Sequence, residues 1–126
     1  MYNAKRINVK AIICSIAMVL MLLSAVVGTI SYYVNEKSYT VTITDKERIT
    51  EKSGDEIKSK YLVFCKEDNG ATIVFENTDV VFKGKWNSSD IQGRLEIGKK
   101  YRIKTIGYRI PFFSMYENII SVSPVN

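Results

Sequence analysis

Histidine is absent from this chain, and cysteine, proline and tryptophan are scarce, at two, two and one residues. Without histidine the commonest general base and the commonest metal ligand are both missing. Cys14 and Cys65 stand far apart, with no CxxC pair and no Cys/His cluster around them. A zinc site, dithiol redox chemistry and a disulfide framework therefore all lack their residues. No nucleophile motif stands in for them, so the expectation is a protein that is not an enzyme and holds no metal or cofactor.

Charge is the next absence. The run AIICSIAMVLMLLSAVVGTISYYV, Ala11 to Val34, contains no charged residue, and no acidic residue occurs among the first ten. As a helix at ~1.5 Å per residue the run spans roughly 36 Å, more than the ~30 Å hydrocarbon core of a bilayer. Lys5, Arg6 and Lys10 precede it, and the positive-inside rule places that end in the cytoplasm. Tyr32 and Tyr33 follow at the far boundary, where amphipathic rings suit the lipid–water interface. The expected organisation is a cytoplasmic N-terminus over residues 1–10, a transmembrane signal-anchor over 11–34, and an extracytoplasmic β domain over 35–126. A cleaved secretory signal is the rival reading, against which the length of the run and the bulky residues around Ala25 to Gly28 both count.

Beyond Val34 the pattern changes to period two. SYTVTIT (Ser38–Thr44) alternates Tyr39, Val41 and Ile43 with threonines and continues toward Ile49. EKSGDEIK (Glu51–Lys58) is polar, contains Gly54, and reads as a solvated loop. KYLVFCK (Lys60–Lys66) and ATIVFEN (Ala71–Asn77) are strands joined by Glu67-Asp68-Asn69-Gly70, whose Asn-Gly pair suits a tight hairpin. Cys65, sharing parity with Tyr61 and Val63, is expected to be a buried thiol. Ser88 or Ser89 can cap a short helical turn that Gly93 ends, and Gly98 turns the chain into a strand over Lys100–Arg109. A last strand runs from Asn118 to Val122. The order, three strands, a short helix and two strands, predicts an all-β domain built as a five-stranded OB-like small barrel, its helix between strands 3 and 4.

Charge is also uneven within this part. Glu36–Asp79 carries seven basic and ten acidic residues, whereas Lys83–Arg109 carries eight basic and two acidic. Lys99, Lys100, Arg102 and Lys104 read either as the solvated face of a half-buried strand or as a stripe for a polyanion. GYRIPFFSMYENII (Gly107–Ile120) gathers aromatics around Pro111, which must end a strand near Ile110. The segment is expected to plug the barrel with Phe112 and Tyr116, with Tyr108 packed beneath them. Phe113 and Met115 are the candidates for exposure and for contact with a partner.

The runs VFENTD…KWNSSDIQGRL and GKKYRIKTIGYRIPFFSMYENIISV resemble a family of small bacterial and phage proteins of unknown function. The shared elements correspond to Asn77 and Asp79, Ser89 and Asp90, Gly107-Tyr108-Arg109, and Asn118-Ile119. The resemblance implies one N-terminal membrane helix and a compact β domain, and it brings no activity with it. On the residues themselves, Asn77, Asp79, Asp90, Arg109 and Asn118 read as structural polar groups, with Arg109 paired to Asp79 or Asp90. Two carboxylates serving acid/base chemistry are the alternative, which the missing nucleophile opposes. The functional expectation is a single-pass envelope protein whose partner is an unknown envelope protein or a polyanion, with superinfection exclusion fitting a phage origin. A tethered OB domain binding nucleic acid is the second reading, and nucleic acid is the less expected partner at that location.

Overall fold

The computed structural model describes residues 6–126. The elements are α1 (Val9–Val34), β1 (Glu36–Ser53), β2 (Glu56–Glu67), β3 (Thr72–Asn77), α2 (Ser88–Arg94), β4 (Lys100–Ile106) and β5 (Asn118–Pro124). Two single-turn 3-10 helices, Val81–Lys83 and Pro111–Phe113, lie in the connections to α2 and β5.

Asn8 caps α1 by accepting a hydrogen bond from the Ala11 amide at 3.3 Å. The few hydroxyls inside the apolar helix are satisfied locally: Ser15, Ser24 and Thr29 each donate to the carbonyl four residues earlier. No residue of α1 is buried, and the helix is long and apolar enough to cross a membrane. It hands over to β1 with Asn35 as the only residue between them. The strand therefore begins at Glu36, ahead of the Ser38 at which the alternation starts.

β1 is long because it serves two neighbours in turn. Its first part pairs antiparallel with β4, from Glu36↔Ile106 to Thr42↔Lys100. It pairs with β2 from Val41↔Glu67 onward, and after a bulge between Ile43 and Asp45 it follows β2 as far as Ser53↔Glu56. The bulge bends the strand and strengthens its twist, which lets one strand close on both sides. The polar stretch expected as a loop is thus the end of a β1–β2 hairpin, with Gly54 at φ 61° in its turn. Composition reports solvation, and this ribbon is solvated along Glu51–Ser59 while its backbone stays paired.

The Asn69-Gly70 turn joins β2 to β3 as the sequence predicts, with Gly70 at φ 86° and the Glu67 amide bonded to the Ala71 carbonyl at 2.9 Å. The sheet is antiparallel apart from the parallel contact Glu76↔Asn118 between β3 and β5. Its order is β1-β2-β3-β5-β4, and the β4–β1 pairing brings the circuit back to its start. Alternate residues fill the interior: Val41 and Ile43 from β1, Val63 and Cys65 from β2, Phe75 from β3, Tyr101 and Ile103 from β4. α2 adds Ile91, and Leu95, the residue that caps its C-terminus, adds a second side chain four positions on.

That packing corrects the expectation for the aromatic corner. β4 stops at Ile106, three residues short of Arg109, where Gly107 takes φ 91°. Phe112 is 89% exposed and Tyr108 is exposed as well, so neither packs into the barrel. α2 does the filling instead, because the branched side chains of a short helix reach a core that a 3-10 turn held off by its own bridge does not.

Candidate functional site

Two groups of side chains stand out, one polar and buried, the other aromatic and exposed. The polar group ties the end of β3 to α2 and β5. Asn77 donates to the Ser88 carbonyl at 2.9 Å and to Gln92 Oε1 at 3.1 Å, and its own Oδ1 accepts from Lys85 Nζ at 2.8 Å. Lys85 Nζ also donates to the Thr78 carbonyl at 2.8 Å and to the Ile119 carbonyl. Asn118 makes reciprocal bonds with Thr78, accepting from its amide and donating to its carbonyl and hydroxyl. Gln92 reaches the Leu62 carbonyl at 3.2 Å. Among the described residues no buried side-chain N or O atom lacks a partner. Burial holds the Lys85 amine down at about 8, against the opposing pull of Asp79 and Glu76.

Asp79 accepts from the Ser88 hydroxyl at 2.6 Å and from the Ser88 amide at 3.0 Å, and these bonds hold its carboxyl below the usual range. It thereby clamps the start of α2. The pairing expected for Arg109 is not formed. Its guanidinium donates to the Met115 carbonyl at 2.9 Å and lies 4.2 Å from the Tyr116 ring centre, closing its own loop. The Met115 carbonyl, which also accepts from the Ile110 amide, lies six residues away across a tight turn and is nearer to Arg109 than either carboxylate partner expected. Asp90 sits exposed in the first turn of α2.

Lys85, Gln92 and Glu117 went unnoticed in the sequence. Glu117 is buried, accepting from the Tyr39 hydroxyl at 2.7 Å and from Thr105 at 3.3 Å, with Lys37 at 3.7 Å. Burial, then the adjacent carboxylate, drives the Tyr39 phenol well above its ordinary range. A polar type in a polar neighbourhood carries no signal of burial, so no reading of spacing could single these three out.

The basic strand is largely neutralised. Lys99 pairs with Glu96, Lys100 with Asp68 at 2.8 Å, and Lys104 lies 4.0 Å from Glu36. Arg102 and Lys104 point outward while Tyr101 and Ile103 point in, as the alternation predicts. A shallow groove of about 310 Å³ runs past Arg48, Ser59, Tyr61, Asp79, Ser88 and Ser89. Its polar atoms are already bonded to one another: Arg48 to Ser59, Tyr61 to Ser89, and Asp79 to Ser88. Among the described residues no cluster of three or more metal-ligating side chains occurs.

The aromatic group is the more unusual. Phe82, Trp86, Phe112 and Phe113 are 83%, 67%, 89% and 70% exposed. All four lie in or beside two turns, Val80–Lys85 and Ile110–Met115. The first turn and the chain leading into the second stand at the last turn of α1: the Phe82 ring centre is 5.4 Å from that of Tyr33, and the hydroxyl of Tyr108, just before Ile110, is hydrogen-bonded to that of Ser31. Asn35 adds a bond from its Nδ2 to the Gly107 carbonyl at 2.7 Å. Phe113 and Met115 are exposed in this region, alongside the more exposed Phe112.

No family model, curated protein or solved structure matches the chain.

Proposed function

We propose that this chain is a non-enzymatic, single-pass envelope protein that displays a small OB-type β domain outside the cytoplasmic membrane. The observation that carries the reading is α1: 26 residues, none buried, passing into β1 across one residue. An apolar helix with no protein cover calls for lipid. Lys5, Arg6 and Lys10 on one flank, against Lys37 on the other, favour an outward domain. The circuit β1-β2-β3-β5-β4, the parallel β3–β5 contact and the helix between β3 and β4 support the OB-type assignment. The domain's role is to bind or block another envelope component. The resemblance to small bacterial and phage proteins extends this to host-envelope modification of the superinfection-exclusion kind.

A tethered polyanion-binding domain is the second reading, resting on Lys99, Lys100, Arg102 and Lys104. The carboxylates beside three of these four cations count against it. The deciding experiment is a compartment-specific reporter fused after Asn126. Activity outside the cytoplasm is expected, and it should weaken when positive charge is moved from the N-terminus to positions after Val34. Activity in the cytoplasm would overturn the orientation and the leading reading together.

A further inference from the structure

The two turns that carry the exposed aromatics are built alike. Each opens and closes on a pair of backbone hydrogen bonds, Val80 with Lys85 at 2.9 and 3.0 Å, and Ile110 with Met115 at 3.0 Å both ways. Each contains one 3-10 turn, closed by a residue in the left-handed region, Gly84 at φ 67° and Ser114 at φ 50°. Ser114 is the one non-glycine residue with positive φ among those described. The backbone of each loop is therefore tied to itself. Such a turn holds its side chains out at low entropic cost, and both present phenyl rings: Phe82, Phe112 and Phe113. Within a small domain whose core is already filled by β1–β5 and α2, these rings contribute little to folding.

Position says what they meet. The first loop meets α1 where Phe82 packs on Tyr33, and the chain leading into the second meets it where Tyr108 bonds to Ser31 and Gly107 lies against the Tyr32 ring, all inside the last turn of the apolar helix. The depth at which α1 leaves lipid is then the depth of the loop bases. Of the charges from Val80 to Trp86 and from Tyr108 to Tyr116, Lys83 and Arg109 are exposed, Lys83 beside Glu36 at 2.8 Å, and Lys85 is buried. Basic and aromatic side chains together suit an interface of anionic headgroups over acyl chains.

Resting on the reading of α1 as a membrane span, we propose that the Val80–Lys85 and Ile110–Met115 loops insert Phe82, Phe112 and Phe113 into the bilayer interface, seating the barrel on the lipid through which its own helix passes. The domain is then a fixed platform and not a ball on a string. Single insertions of a few rings bind weakly on their own, but the covalent helix makes the event intramolecular and raises its effective concentration.

The test uses the full chain with Cys14→Ala, reconstituted in phosphatidylethanolamine–phosphatidylglycerol vesicles. Nitroxide labels are placed by Phe82→Cys, Phe112→Cys, Leu22→Cys in mid-helix, and Asn69→Cys in the β2–β3 turn. Asn69 follows Asp68, which pairs with Lys100 at the far end of β4 from Ile106, roughly 20 Å along the strand at ~3.3 Å per residue. Cys65 is fully buried and should not take label in the folded chain. Accessibility to oxygen, which partitions into lipid, is compared with that to a water-soluble nickel chelate. The expected result is oxygen-dominated relaxation at 22, 82 and 112, with a ratio several-fold above that at 69. Nickel access at 82 and 112 equal to that at 69, with 22 in lipid, would overturn loop insertion while leaving the anchor intact. Nickel access at 22 would overturn the anchor and the insertion with it. Shielding of 82 and 112 from both reagents would mean a protein contact, such as a second copy, and would also overturn the proposal.

Discussion

Lys85 puts an ammonium group almost wholly out of water, held by the Asn77 side chain and the Thr78 and Ile119 carbonyls. Burial lowers its pKa to about 8, while an unfolded chain titrates near 10.4. Below about pH 8 both states carry the proton, and folding bears the cost of burying the charge. Between about 8 and 10.4 the unfolded chain binds more protons at Lys85 than the folded one, so the contribution of this residue to stability should rise with pH across that window. The slope for one proton is at most about 1.4 kcal/mol per pH unit. Lys85→Met should lose the slope, and it should be less stable at neutral pH by roughly 2–5 kcal/mol, because it strands buried oxygens. Urea unfolding of the full chain in detergent micelles, at about pH 7.5 and 9.5, measures both effects. A wild-type profile that is flat or falling relative to the variant would contradict the assignment. Cys65 shows the simpler behaviour of an apolar site, its thiol pushed up to about 12 by burial alone.

At the scale of elements, the joint between α1 and the barrel turns on a glycine. Gly107 has φ 91°, and a Cβ built there would lie 2.5 Å from the Tyr32 ring. Gly70 shares the left-handed backbone, at φ 86°, but has open space around it. Gly70→Ala should therefore cost only the backbone penalty, about 1–2 kcal/mol. Gly107→Ala should cost more, since the ring must move and the Tyr108–Ser31 and Asn35–Gly107 bonds lie beside it. Adding Tyr32→Ala should recover part of the excess at Gly107 and none of the cost at Gly70, a coupling that a double-mutant cycle reads directly. Equal losses for the two glycine variants, with no coupling, would mean that helix and barrel do not press together at this point. The same element scale explains the aromatic corner. The strand ends at Ile106, before Gly107, and not at Pro111, and the bridge between Ile110 and Met115 turns Phe112 and Phe113 away from the sheet.

The whole molecule carries a net charge of +5, yet three of the four cations of its basic strand sit beside carboxylates. A solvated ion pair is worth little in stability, ~0–1 kcal/mol, but it does cancel the field that a polyanion would sense. The full chain in micelles should thus bind single-stranded nucleic acid only weakly, with affinity falling steeply as salt rises. Asp68→Asn with Glu96→Gln frees Lys100 and Lys99 and should strengthen that binding while steepening its salt dependence. Tight, length-dependent binding by the unmodified chain at physiological salt would reverse the order of the two functional readings.

The amino-acid sequence by itself determined whatever depends on near neighbours. An uncharged run makes an apolar helix, Asn69-Gly70 makes a hairpin turn, and the alternation of Tyr101 and Ile103 with Arg102 and Lys104 assigns inside and outside. Cys65 was placed by the same parity. The charged β1–β2 ribbon reads as a loop in the sequence, because solvated side chains say nothing about whether two backbones pair. Only tertiary structure decided which aromatic residues fill the barrel and which stand outside it. Phe75 and Phe112 are the same chemical type, and one is fully buried while the other is 89% exposed. That difference depends on what α2 has already filled and on where α1 meets the sheet, contacts between residues far apart in the chain. The burial of Lys85 is of the same kind. Its three oxygen partners come from the end of β3, the residue after it, and β5, and no local pattern foretells their meeting.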